Sequence, residues 1–209
     1  MRKGFTLIEL MVVIGIVALL LGGSYLFSLR TIYNGDAVKA ATEIKYNLIA
    51  LQKLKIRNNE NYMAAFMNVN VVNMGVYDYV FFNDSLGNLP GVPEANEVLV
   101  DKFTGERMAY KFSFSAANPG VSLASKYKNI SLTNAVFYNN NGQARNILFY
   151  NRLGGPAVLA QGHNYGITAE YDDINSKNEN FIELRGNNVS VKIIVTPITG
   201  DIIIKQEDK

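Results

Sequence analysis

The chain contains no cysteine and one histidine, His163. No disulfide can form, and neither a thiolate nucleophile nor a Cys-ligated metal is available. One imidazole cannot build a zinc site of three histidines, nor a Cys–His pair. A Ser-His-Asp arrangement stays open on composition, but the sequence has no Gly-x-Ser-x-Gly elbow. His163, between Gly162 and Asn164, reads best as a polar loop residue. No cofactor and no metal is expected, and the chain is not read as an enzyme.

A dominant charge is missing too. Lys and Arg number 20 against 18 Asp and Glu, a formal net charge of +2. Such a balance offers no basic field to draw nucleic acid by charge alone. No internal repeat or low-complexity linker divides the 209 residues, enough for a long helix and one domain of common size.

What the chain does have is one long apolar run. Arg2 and Lys3 precede Gly4, and from Phe5 to Leu29 the one charge is Glu9. A helix of that length crosses a hydrocarbon core of ~30 Å. The basic flank places the N-terminus on the cytoplasmic side and sends the rest outward. A carboxylate a turn inside such a segment costs ~2.5–3.5 kcal/mol on insertion scales, so Glu9 is read as functional. The competing reading is a plain single-pass anchor with an accidental charge. A secretory signal would instead have an apolar core of ~7–15 residues followed by small residues. Gly22, Gly23 and Ser24 imitate such a site, but the run is too long for it. The preferred reading is a short basic leader, Met1 to Gly4, on a helix that stays in the protein.

Gly4-Phe5-Thr6-Leu7-Ile8-Glu9-Leu10 resembles the processing motif of type IV prepilins and type II secretion pseudopilins. The resemblance implies cleavage between Gly4 and Phe5 by a membrane aspartyl prepilin peptidase, then N-methylation of the new Phe5 amine. It also implies an assembly role for Glu9, whose carboxylate would face the N-terminal amine of a neighbouring subunit. The physics agrees, because removing one member of a buried ion pair costs roughly 3–5 kcal/mol. The implied partners are prepilin peptidase, other pilin or pseudopilin subunits, the inner-membrane assembly platform and membrane lipid. Loss of Arg2 and Lys3 with the leader takes Lys plus Arg from 20 to 18, level with the 18 carboxylates. Many major pilins close a C-terminal loop with a disulfide. A cysteine-free chain cannot, which leans towards a minor component.

The helix is expected to continue outside the membrane. Ala37, Ala41, Ile44, Leu48 and Leu51 recur at alternating spacings of four and three, a single apolar stripe with Lys39, Glu43, Lys45 and Lys53 off it. Gly22-Gly23 and Asn34-Gly35-Asp36 are weak points, at one of which a bend or local melting is expected, and Asp36 could cap a fresh start. Beyond Tyr62 the pattern turns to strands: Val69–Val72, Val76–Phe82, Ala109–Phe114, Ala135–Tyr138, Ile147–Tyr150, Phe181–Leu184, Val189–Thr196 and Asp201–Lys205. Asn83–Glu97 and Gly154–Asn164, with a turn at Gly154-Gly155-Pro156, are expected as long loops. The predicted fold class is α+β and pilin-like. Its long N-terminal helix is transmembrane, then amphipathic, and packs on an antiparallel two-sheet β domain. The divisions are a cleaved basic leader at 1–4, a transmembrane half at 5–29, an amphipathic half at 30–60 and a β-rich extracytoplasmic domain at 61–209.

Val136–Gly142 followed by Val191–Gly200 is similar to the end of H-type minor pseudopilins and FimT-like minor pilins, and Leu51–Asn58 looks like the end of their long helix. That likeness implies a two-sheet domain wrapped on the helix, at or near a filament tip. Some FimT-like proteins bind DNA through a basic motif just after the late glycine. Here Gly200 is followed by Asp201 and a mixed-charge tail, so nucleic acid is not an expected partner.

Two weaker patterns remain. Glu170, Asp172, Asp173, Asn175 and Glu179 form an oxygen-rich stretch where calcium could bind, but no glycine marks the sharp turn and Lys177 interrupts it, so a solvated loop is preferred. Asn129-Ile130-Ser131 and Asn188-Val189-Ser190 match a glycosylation pattern that chance supplies at this asparagine content. The sequence thus points to a minor pilin or pseudopilin of a type II secretion pseudopilus or type IV pilus. It would be inserted once in a bacterial inner membrane with its N-terminus inside, then moved into a filament. The alternatives are a DNA-uptake minor pilin or a membrane-anchored extracytoplasmic binding protein.

Overall fold

The computed structural model describes residues 7–58, 60–84, 93–102, 104–112, 121–122, 127, 129–159, 171–186 and 189–208. One helix, α1 (Leu7–Asn58), runs for 52 residues, about 78 Å at about 1.5 Å per residue. No melted turn interrupts it at Gly22-Gly23 or at Asn34-Gly35-Asp36. Gly35 sits in open space, and Asp36 does not start a new helix but pairs with Lys39 one turn on, at 3.6 Å. Helical hydrogen bonding on both sides outweighs the ~1 kcal/mol that an interior glycine costs.

The predicted stripe is the buried one. Ala37, Ala41, Ile44, Leu48 and Leu51 are buried, and Ala40 joins them. Three alanines at the entry let the helix backbone approach the sheets, while the larger residues further on fill the deeper core. The helix ends at Asn58, with Lys55 and Arg57 in its last turn, where cations oppose the negative end of the helix dipole.

Among the described residues twelve strands follow: β1 (Tyr62–Val71), β2 (Gly75–Asn83), β3 (Ala109–Lys111), β4 (Val121–Ser122), β5 (Ser131–Tyr138), β6 (Ala144–Arg145), β7 (Ile147–Tyr150), β8 (Pro156–Leu159), β9 (Tyr171–Asp173), β10 (Phe181–Arg185), β11 (Val189–Val195) and β12 (Ile202–Asp208). They form a seven-stranded sheet in the order β4-β3-β2-β1-β7-β8-β9 and a five-stranded sheet in the order β12-β11-β10-β5-β6. All pairings are antiparallel except the short β3–β4 contact, which is parallel. The chain steps between the sheets at Asn146. Its carbonyl accepts from Phe66 N at 3.0 Å, and its side-chain amide donates to Phe66 O at 2.8 Å. Helix α1 lies across both sheets and touches β11, β12 and β10 of one, and β1 and β7 of the other.

The seven-stranded sheet is buried on both faces. Tyr62, Ala64, Phe66, Tyr79 and Phe81 face the core shared with the helix. Met63, Ala65, Val80, Phe82, Ile147 and Phe149 pack in a second cluster with Val98. Double burial explains why Tyr79–Phe82 reads as a continuous apolar run and not as an alternation. Between Phe66 and Val69 a bulge shifts the register, with Met67 and Asn68 at φ of 64° and 55°. Helix-favouring Met63, Ala64 and Ala65, together with that bulge, hid the first half of β1, which was expected to start only at Val69.

Several expectations need correction. β5 starts at Ser131, four residues earlier than predicted, because a register shift at Thr133 breaks the alternation there. The expected loop from Gly154 contains β8, which Pro156 opens at a position where no ladder donor is lost. β9 lies inside the expected acidic loop; it is the sheet's outer strand, where charges suit an exposed edge. β3 ends at Lys111, short of the predicted Phe114, while residues 113 and 114 lie outside the described set.

Leu48 is fully buried in the shared core. Leu48→Ala is expected to lower unfolding stability by about 2–5 kcal/mol, read from chemical denaturation of the full-length chain in detergent. A change below ~1 kcal/mol would contradict the helix's role as the domain's central prop.

Candidate functional site

Gly4 and Phe5, the predicted cleavage and methylation residues, lie outside the described residues. Glu9 falls within α1, but its side chain is also outside that set. Every described side chain from Leu7 to Leu21 is exposed, with Leu7 at 77% and Leu19 at 79%. A monomeric soluble protein rarely exposes so large a contiguous apolar surface, which marks an interaction with lipid or with other helices. Among the described residues no helix is long and apolar enough to cross a membrane. The described side chains of the apolar run stop at Leu21, whereas the sequence run continues to Leu29.

The other half of the helix is held by aromatic residues. Tyr79 and Tyr110 stack at 4.7 Å with planes 18° apart, and Phe66 stacks on Tyr79 at 6.1 Å. Beside them Tyr127 donates its hydroxyl to Glu43 Oε2 of the helix at 2.8 Å. Glu43 therefore lies off the apolar stripe, as predicted, yet anchors a β-domain residue to the helix. Gln52 was missed. It donates its side-chain amide to Gly154 O at 2.7 Å and lies 3.5 Å from Thr199 O, so it touches two hairpin turns at once. A glutamine four residues beyond Leu48, on the line of the stripe, was the available signal.

Burial governs the ionisation of these groups. It raises the phenol of Tyr79 well above its usual value and raises Tyr110 to about 12, each reinforced by nearby acidic groups. Tyr150 is raised by burial alone. Among the described residues neither Tyr79 nor Tyr150 finds a hydrogen-bond partner for its hydroxyl. A phenol held neutral by the fold contributes its full stability below its unfolded value of about 10, and loses it as pH rises through the folded value. Lys55, lowered by burial and by Arg152 nearby, works in the opposite sense. With five raised phenols, those of Tyr62 and Tyr77 included, against one lowered ammonium, stability is expected to fall between pH 10 and about 12, tracked by denaturation midpoints together with phenolate absorbance. A midpoint unchanged up to pH 12 would contradict this burial.

The remaining predicted groups are dispersed. Glu170 and His163 lie outside the described residues. Asp173 Oδ1 accepts from Asn151 at 3.3 Å, Asn175 Oδ1 accepts from Lys177 N at 2.7 Å, and Glu179 pairs with Lys192 at 3.9 Å. The described members thus take separate partners, and no metal-holding group of acids and histidine occurs among the described residues. Asn129 is exposed in a turn at φ 56°, and Asn188 is outside the described set. Ser190 is buried in β11 and donates to Glu183 Oε1 at 2.6 Å. Asp201, after the late glycine, accepts from the Thr199 hydroxyl at 3.0 Å.

Residues 1–25 match the family described as Prokaryotic N-terminal methylation motif. This motif indicates a type IV pilin-like precursor, processed by prepilin peptidase and assembled with other pilin subunits. It is consistent with anchoring in the inner membrane before residence in a filament. No curated protein and no solved structure matches the chain.

Proposed function

We propose that the chain is a minor pilin or pseudopilin, most like the H-type and FimT-like group, working at or near the tip of a type II secretion pseudopilus or type IV pilus. The carrying observation is the methylation motif at residues 1–25, which runs directly into a helix apolar and exposed from Leu7 to Leu21 and buried by a two-sheet domain from Ala37 onward. The anchoring segment crosses the inner membrane once, with the N-terminus inside and the β domain outside. The assembly platform then draws the processed helix from lipid into a bundle of neighbouring helices. Glu9 answers the Phe5 amine of a neighbour, and the β domain makes the outer contacts. No catalysis is assigned to the chain.

Intact-mass and N-terminal peptide analysis of the chain from its native membrane tests this reading. The expected product begins at a methylated Phe5 and disappears when prepilin peptidase is deleted. A mature chain still beginning at Met1 would favour a membrane-anchored extracytoplasmic binding protein and end the pilin reading.

A further inference from the structure

With six methionines and no cysteine, thioethers are the only sulfur this chain offers an oxidant. Met63 is fully buried, and Met67 and Met108 pack part-buried against the core shared with the helix. Met74 differs from them. It packs part-buried against the second cluster, in the turn between β1 and β2, and its Sδ accepts from Arg107 Nη1 at 3.0 Å.

Both ends of that contact stand on fixed backbone. Met74 N donates to Val71 O at 3.0 Å, and the Tyr77 hydroxyl donates to Met74 O at 3.3 Å. Next to it Val72 N donates to Pro93 O at 3.0 Å. Arg107 bridges to Val100, and its carbonyl accepts from Ala109 N at 2.8 Å.

The pairing is chemically unequal. Arg107 is exposed and presents a fork of N–H donors suited to a carboxylate, yet among the described residues it forms no ion pair. It spends a donor on a thioether, which is a weak acceptor. Oxidation makes the same side chain polar and gives it an S–O oxygen that accepts strongly. The guanidinium therefore matches the sulfoxide better than the thioether, through a charge-assisted hydrogen bond.

We propose that Met74 is a site of reversible sulfoxide formation, with Arg107 as the receiver of the sulfoxide oxygen. Hydrogen peroxide, or another hydroperoxide, supplies that oxygen. A lone pair on Sδ attacks one peroxide oxygen, and the S–O bond forms as the O–O bond breaks. The attacked oxygen passes its proton to the departing hydroxide, which leaves as water. Sulfur gives up one electron pair and the peroxide takes it. Elsewhere in a protein this change disrupts apolar packing. Here the new oxygen meets Arg107, so the turn between β1 and β2 keeps its place. A methionine sulfoxide reductase with a thiol reductant returns the thioether.

The full-length chain in detergent is treated with limiting hydrogen peroxide and mapped by peptide mass spectrometry. Met74 should carry about threefold or more the sulfoxide of Met67 or Met108, as a more accessible sulfur should. Thermal midpoints are then compared for wild type, Arg107→Gln, Met74→Leu and the double variant. Oxidised wild type should hold its midpoint within about 1 °C, while Arg107→Gln should lose about 2–4 °C, one hydrogen bond's worth in a chain of this size. Reductase treatment should restore that loss. Met74→Leu keeps the side chain's volume and should show no peroxide-dependent shift with either residue at position 107.

Sulfoxide spread evenly over Met67, Met74 and Met108 overturns the inference. So does an equal loss of midpoint in wild type and Arg107→Gln, which would make Arg107 a bystander. A peroxide shift that persists in Met74→Leu assigns the effect to another methionine and overturns it as well. The inference does not rest on the pilin reading, and each of these results leaves that reading as it stands.

Discussion

Gly4→Val is expected to leave the leader on every copy of the chain and to remove it from any filament. The bond proposed to be cut lies between Gly4 and Phe5. A glycine there lets the backbone approach another surface closely and adopt conformations closed to other residues, and a β-branched side chain removes both freedoms. Retention has two further consequences. The Phe5 nitrogen stays in an amide, so no ammonium forms to answer Glu9. Arg2 and Lys3 also stay attached, and drawing them into an apolar helix bundle costs ~2.5–3.5 kcal/mol each on insertion scales. The variant should therefore accumulate in the membrane at full mass, with Met1 or its deformylated form at the N-terminus. Mass spectrometry of the membrane fraction and of mechanically sheared filaments decides it. A Gly4→Val chain that starts at Phe5, or that reaches the sheared fraction, would contradict the assignment of this bond.

The parts of this molecule that were legible in its sequence are those where one physical demand acts alone. The stripe Ala37-Ala41-Ile44-Leu48-Leu51 had only to bury one helix face, and all five residues are buried. β7, β10 and β11 are short and apolar, and they lie close to where their composition put them. Reading failed where two demands overlap. β9 must pair with β8 yet tolerate an exposed edge, so its aspartates read as loop. Pro156 satisfies a turn and opens a strand together. Asp36 was expected to cap a helix start, but the helix on either side kept Gly35 helical and left Asp36 to pair with Lys39. The pole formed by Gln52, Gly154 and Gly200 was not visible at all. Its residues are 102 and 148 positions apart from Gln52 in sequence or nearly so, and only the meeting of two sheets brings them together. The motif at the N-terminus was legible for the opposite reason: it is read by an enzyme as a linear segment, so its information lies in consecutive residues.

Glu9→Val should separate processing from assembly. The proposed cleavage bond at Gly4-Phe5 is untouched, so the leader should still be removed and Phe5 still methylated. Membrane insertion becomes easier, since a carboxylate costing ~2.5–3.5 kcal/mol has been replaced by an apolar side chain. Assembly becomes harder, because the methylated ammonium of a neighbour enters the helix bundle without its counter-charge. An unpaired buried charge costs roughly 3–5 kcal/mol, about two to four orders of magnitude in incorporation. The variant should therefore be abundant and correctly trimmed in the membrane, yet absent from sheared filaments. When it is co-expressed with the wild-type chain, the filaments should contain almost none of it. Glu9→Gln is the sharper control. It keeps the size and the hydrogen-bonding capacity but not the charge, so it should fail nearly as completely as valine. Glu9→Asp keeps the charge at a shorter reach and should recover part of the incorporation. If the glutamine variant assembles as well as the wild type, the carboxylate acts through hydrogen bonding alone, and the neutralisation of Phe5 by a neighbouring subunit is wrong.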